Sequence, residues 1–132
     1  MIEENREQMR KGFTLVEIMI VVAIIGIIMA IAVPAYLRSR ETSRATACQA
    51  NLKQLFSAKE NWGNEVGAAS GEQPKAEYIY GPDKFIVSTP QCPAGGKYKL
   101  NILGDNPTCS IGTTLGQKKW YHVLNQDYPN AQ

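Results

Sequence analysis

Between Ile18 and Leu37 the chain reads IMIVVAIIGIIMAIAVPAYL, twenty residues without one charged side chain. An α-helix of that length spans about 30 Å, the thickness of a bilayer's hydrocarbon core. The run is too long for the apolar region of a secretory signal. The residues after it, with Arg38, Arg40 and Arg44 among them, offer no small-residue cleavage site. It is therefore read as a retained membrane helix. Its flanks do not orient it, because Arg6, Arg10 and Lys11 on one side are balanced by the three arginines on the other.

With 132 residues in all, the remainder is enough for one small domain. A net charge of +2, with acids and bases interspersed, gives no basic groove for nucleic acid. Before the apolar run, Met1 to Gly12 is a polar leader with three acids and three bases. Thr14 and Glu17 have the S/T-x-x-E spacing of a capping box, which predicts the helix start. Within the run, Pro34 removes a backbone donor and Gly26 is a second soft point.

Helical spacing continues past Pro34. Cys48, Leu52, Leu55, Lys59, Trp62 and Val66 fall on one stripe, which predicts an amphipathic continuation ending near Gly63. A helix from Thr14 to Trp62 would be roughly 70 Å long, too long for so small a domain to cover by itself. A loop rich in Gly, Ala, Ser and Pro follows over residues 63–75. Short β-type runs come next, at Tyr78–Tyr80, Phe85–Val87, Lys97–Leu103, Thr108–Ile111 and Lys119–Leu124. Gly104-Asp105-Asn106-Pro107 is the turn that would make a hairpin of the third and fourth. Tyr98, Leu100 and Ile102 would then share a face with Cys109 and Ile111. The tail from Gln126 is polar and expected to fray. The fold expected is α+β: a long bent N-terminal helix, its first half transmembrane, packed by its second half on a small antiparallel sheet.

Glu17 is the anomaly, a carboxylate at the mouth of the most apolar run in the chain. One account is local: it caps the helix with Thr14, favours the positive end of the dipole and stays near the lipid headgroups. A second account comes from KGFTLVEIMIVVAIIGIIMAIAVPAY. This segment resembles the N-terminal signature of type IV pilins and type II secretion pseudopilins. The match lies in a short leader ending in Lys11-Gly12, then Phe13, then Glu17 as the fifth residue after the glycine, then a long apolar helix with Gly26 and Pro34. It covers residues 10–62. Beyond it, CPAGGKYKLNILGDNPTCS is similar to a cysteine-flanked hairpin of short pilin-like proteins.

The resemblance implies a leader over residues 1–12, a membrane and assembly half over 13–37, an amphipathic half over 38–63 and a small sheet with loops over 64–132. Residues 38–132 would form the globular domain. It implies cleavage between Gly12 and Phe13 by a prepilin peptidase, which would also methylate the new amine. Lys11 and Arg10 would hold the leader in the cytoplasm, leaving the globular part periplasmic and then on a pilus or pseudopilus. Partners would be the lipid bilayer, an inner-membrane assembly platform and other pilin subunits, identical or not. Glu17, with Thr14 beside it, would be an assembly determinant, neutralised by the Phe13 amine of a neighbouring subunit. Gly26 and Pro34 would let the helix stretch. Their plain alternatives are close packing at Gly26 and a kink of no consequence at Pro34.

Three cysteines, Cys48, Cys92 and Cys109, suit one bridge and one spare thiol outside the cytoplasm. Cys92–Cys109 would enclose sixteen residues and tether the hairpin by about 3 kcal/mol. Cys48–Cys109 competes, because both face the expected core. Closely spaced Cys or His pairs of the zinc type are absent, so no metal site and no cofactor are expected. His122, the sole histidine, reads as an ordinary surface or strand residue. Asp105-Asn106 reads as turn chemistry instead of a calcium loop, and Trp62 and the tyrosines as core and sheet residues. No clustered ionisable groups suggest catalysis, so the chain is expected to be a structural subunit and not an enzyme. The alternative is a monomeric module for which the apolar run is only a membrane tether.

Overall fold

The computed structural model describes residues 12–114 and 120–124. The leader up to Lys11, the start of the expected 119–124 strand and the tail from Gln126 lie outside the described residues. One helix, α1 (Leu15–Val66, 52 residues), supplies most of the regular structure, and two compact units divide between Leu37 and Arg38. In the first unit every large apolar side chain from Phe13 to Leu37 is at least 45% exposed. That half of α1 is apolar on all faces, as a helix in lipid or among other helices must be. A Cβ at Gly26 would meet only open space, and Pro34 lies inside the helix.

In the second unit α1 becomes amphipathic. Ala45, Cys48, Leu52, Leu55, Ala58 and Lys59 are buried along one stripe, Trp62 is half-buried, and Val66 at its end is exposed. The helix passes Gly63, where its end was expected, and the reason is packing. Gly63 is buried, and a Cβ there would lie 2.7 Å from a Leu103 methyl. The glycine admits Leu103 and stops nothing. The stop comes at Gly67, whose φ of 66° lets the Ala68 N–H donate to the Gly63 carbonyl at 2.9 Å. This is the Schellman closure that satisfies an otherwise orphaned carbonyl.

Three short elements pack around the stripe: α2 (Ala76–Ile79), β1 (Tyr98–Lys99) and β2 (Thr108–Cys109). The strands pair antiparallel, Tyr98 opposite Cys109 and Lys99 opposite Thr108, so Tyr98 and Cys109 share a face as expected. The fold is α+β. The sheet is smaller than the sequence runs suggested. Residues 78–80, read as a strand, form the helical turn α2 and its exit, where Tyr78 stacks on Trp62 with ring centroids 6.1 Å apart. The runs at 85–87 and 120–124 each reduce to one isolated bridge, Tyr80 to Ile86 and Gly112 to His122.

Lys59 explains why β1 is cut short. The side chain is fully buried, and its ammonium donates to the carbonyls of Leu100 at 3.0 Å, Ile102 at 2.8 Å and Asp105. Carbonyls turned onto one cation cannot also extend a ladder, and Asn101 takes a φ of 55° to turn them. Its side-chain amide donates to the Asn106 carbonyl at 2.7 Å, which closes the turn. Burial lowers the Lys59 pKa from its ordinary value, against the pull of Glu60 and Asp105. The three carbonyls replace the water that a buried ammonium loses. Lys59→Met, which keeps the bulk and removes the donors, is expected to destabilise the domain by roughly 2–4 kcal/mol. Urea unfolding of the detergent-solubilised chain, followed by tryptophan fluorescence, measures the loss, and an unchanged midpoint would mean the ammonium is not holding this loop.

Candidate functional site

At the start of α1 the side chains of Thr14 and Glu17 bond reciprocally. The Glu17 N–H donates to Thr14 Oγ1 at 3.2 Å, while Glu17 Oε2 accepts from the Thr14 N–H and hydroxyl, both at 2.8 Å. This capping box satisfies helix donors that have no intrahelical partner. Both accepted bonds fall on Oε2, and among the described residues Oε1 has no partner. Gly12 and Phe13 precede the helix, both exposed and neither in regular structure. Exposed, irregular backbone next to a helix cap is accessible to another protein.

A second cluster lies inside the globular unit. Cys48 of α1, Cys92 of the loop before β1, Cys109 of β2 and His122 are all buried. Their ligand atoms lie within 4.8 Å of one another. The imidazole Nδ1 is 3.3 Å from Cys92 Sγ, and Nε2 is buried without a hydrogen-bond partner among the described residues. Burial lowers the His122 pKa, against the pull of Glu41.

The local backbone explains how the sulfurs are held. Gly95, at φ 84°, turns the CPAGG segment and donates to the Cys92 carbonyl at 2.9 Å. That turn aims the N–H groups of Ala94 and Gly96 at Cys92 Sγ. Burial pushes the Cys92 thiol up, but these donors, helped by the neighbouring thiols, bring it below its ordinary value. Cys109 is raised by burial and partly relieved by the Ile111 N–H. Cys48 is raised strongly by burial, with the Tyr98 hydroxyl acting the other way. Asn51 holds that hydroxyl at 3.1 Å. Gly96 has no room for a side chain: a Cβ would fall 2.5 Å from Cys109 Sγ and 3.3 Å from Cys92 Sγ.

His122 reaches the cluster because its segment is tied to α1. Trp120 Nε1 donates to Thr42 Oγ1 at 3.2 Å, and Gln49 Nε2 donates to the Tyr121 carbonyl at 2.8 Å. The His122 N–H itself donates to the Gly112 carbonyl at 2.8 Å.

One expectation changes here. The three cysteines are buried and stand as thiols in the structure, with Cys48 as near to the group as Cys92 and Cys109 are. No two members of the group are near neighbours in the chain, so zinc-type spacing does not reveal it in the sequence. His122 is a core residue, not a surface one. The signal available was the placement of Cys48 and Cys109 on inward-facing positions of α1 and the hairpin. Nothing in the sequence brought His122 to them.

Residues 8–33 match the family described as the prokaryotic N-terminal methylation motif. Among curated relatives, the chain is 46% identical over 112 residues to the type IV major pilin protein PilA of Myxococcus xanthus, covering 77% of this chain and 46% of that one. It is 46% identical over 113 residues to a fimbrial protein of Pseudomonas aeruginosa, covering 82% of this chain and 70% of that protein. It is 31% identical over 119 residues to the type II secretion system core protein G of Klebsiella michiganensis, covering 80% and 83%. The chain thus spans about half the length of the Myxococcus pilin and more of the other two. No solved structure matches it significantly. With that N-terminal motif and these relatives, the chain, an apolar helix whose second half carries a small α+β domain, belongs to the type IV pilin and type II secretion pseudopilin family.

Proposed function

We propose that this chain is a filament subunit: cut by a prepilin peptidase between Gly12 and Phe13, held in the inner membrane by residues 13–37, and polymerised through that half of α1 into a pilus or pseudopilus. Lys11 and Gly12 present the scissile bond, and Phe13 supplies the amine that is then methylated. The globular unit faces the periplasm, and the filament grows from an inner-membrane assembly platform. The role is mechanical, with no reaction catalysed.

The observation that carries this reading is the uniform exposure of the apolar side chains from Phe13 to Leu37 on a helix that opens with an acid. Such a surface needs lipid or other helices around it. An unpaired carboxylate taken among packed apolar helices costs several kcal/mol, on the order of the penalty for any uncompensated intramembrane charge. The Phe13 amine of a neighbour relieves that cost only in one axial register. Glu17 can accept it at Oε1 while Oε2 keeps its bonds to Thr14. Gly26 and Pro34, where backbone support is weakest, are where the helix yields as subunits leave the bilayer.

Glu17→Ala is expected to insert and be cleaved like the natural chain and to leave no filaments in sheared preparations viewed by electron microscopy. Normal filaments from that variant would remove the charge-pairing account. Co-expression with a prepilin peptidase is expected to lower the chain's mass by residues 1–12, and Gly12→Ile to accumulate at full length. A chain that keeps its leader beside an active peptidase is a tether and not a subunit.

A further inference from the structure

We propose that Cys48, Cys92, Cys109 and His122 form a closed structural zinc(II) site of Cys3His composition, independent of how the N-terminus is processed. Four donors, three soft and one borderline, converge from four separate segments to within 4.8 Å of one another. A regular tetrahedron with arms of about 2.3 Å for sulfur has edges of about 3.8 Å, and about 3.6 Å between sulfur and a nitrogen. The Cys92–His122 edge is already 3.3 Å. The other edges need to close by no more than about 1 Å, on this tetrahedral geometry, to seat the ion.

The surroundings favour a metal over a bridge. A disulfide between any two of the sulfurs would leave the third thiol and the imidazole buried together without a reason for either. Tyr98 lies opposite Cys109 in the hairpin, and its hydroxyl accepts from Asn51 Nδ2 at 3.1 Å, an ordered second layer of the kind metal ligands usually have. A glycine at position 96, where a Cβ would collide with Cys109 Sγ, leaves the sulfurs of Cys92 and Cys109 room to approach. Three thiolates and one imidazole in tetrahedral disposition select zinc, and with four protein ligands no position is left for a substrate. On binding, the three thiols release their protons to solvent, three Zn–S bonds and one Zn–N bond form, and no electron is transferred.

The test uses the full chain in detergent micelles, reduced, stripped with chelator and titrated with Co(II) as a spectroscopic probe and Zn(II) as competitor. One Co(II) per chain is expected, with thiolate-to-metal charge-transfer absorption and the visible bands of a tetrahedral ion, displaced by one Zn(II). Cys48→Ser and His122→Ala are each expected to weaken zinc binding at least tenfold. Because either change could loosen the core, X-ray absorption on the unaltered zinc-loaded chain gives a second reading, with three sulfurs at about 2.3 Å and one nitrogen at about 2.0 Å expected. Absence of the charge-transfer band in folded, reduced protein would overturn the proposal, as would a zinc environment without sulfur. So would a chain isolated in air with a complete Cys92–Cys109 or Cys48–Cys109 disulfide and no metal.

Discussion

Among the described residues of the globular unit, the second half of α1 is the one long element, and the others depend on it for hydrogen bonds as well as for burial. Strands two residues long cannot satisfy the backbone of the described residues after the helix, 67–114 and 120–124, and polar backbone groups left unpaired in a core are expensive. Side chains on α1 take the place of a sheet neighbour. Lys59 gathers three carbonyls, Gln49 holds the Tyr121 carbonyl, and Asn51 reaches the Gln91 carbonyl and the Tyr98 hydroxyl. Glu60 accepts from the Gly104 N–H at 3.3 Å. A helix whose own backbone is satisfied internally can spend its side chains on a neighbour that is not.

This division of labour also accounts for the composition of the core. Its buried apolar members, Leu52, Leu55, Ala58, Ile79, Ile86 and Leu124, are few, and the three thiols sit among them. A domain this small buries little surface, and domains of its size often depend on covalent or metal cross-links to hold loops that packing alone would not. The Cys/His cluster draws one residue each from α1, the loop before β1, the hairpin and the segment at Trp120 to Leu124.

Much of this architecture was legible in the residues. The uncharged run, the Thr14-x-x-Glu17 spacing and the Cys48–Leu52–Leu55–Lys59 stripe carry periodic signals, and such signals survive folding because they are what folding uses. That Tyr98 and Cys109 share one face of the hairpin was readable from alternation. What escaped was decided between distant residues. Tyr78–Tyr80 has the composition of a strand, yet Trp62 stacks on Tyr78 and a helical turn results. Residues 97–103 look like one long strand, but a lysine some forty residues earlier draws away its carbonyls. Gly63 reads as a terminator, and only Leu103 reveals that it is a contact point. His122 joins the thiols through bonds to Thr42, Gln49 and Gly112 made by its own short segment, and no spacing rule anticipates such a meeting.

The outward-facing oily surface of residues 13–37 has a consequence for the chain's whole life. No face of that segment is suited to water, so the molecule has no dissolved resting form to return to. In the filament proposed above, such a segment would pass from lipid straight to the flanks of its fellows, the old wrapping leaving as the new one closes.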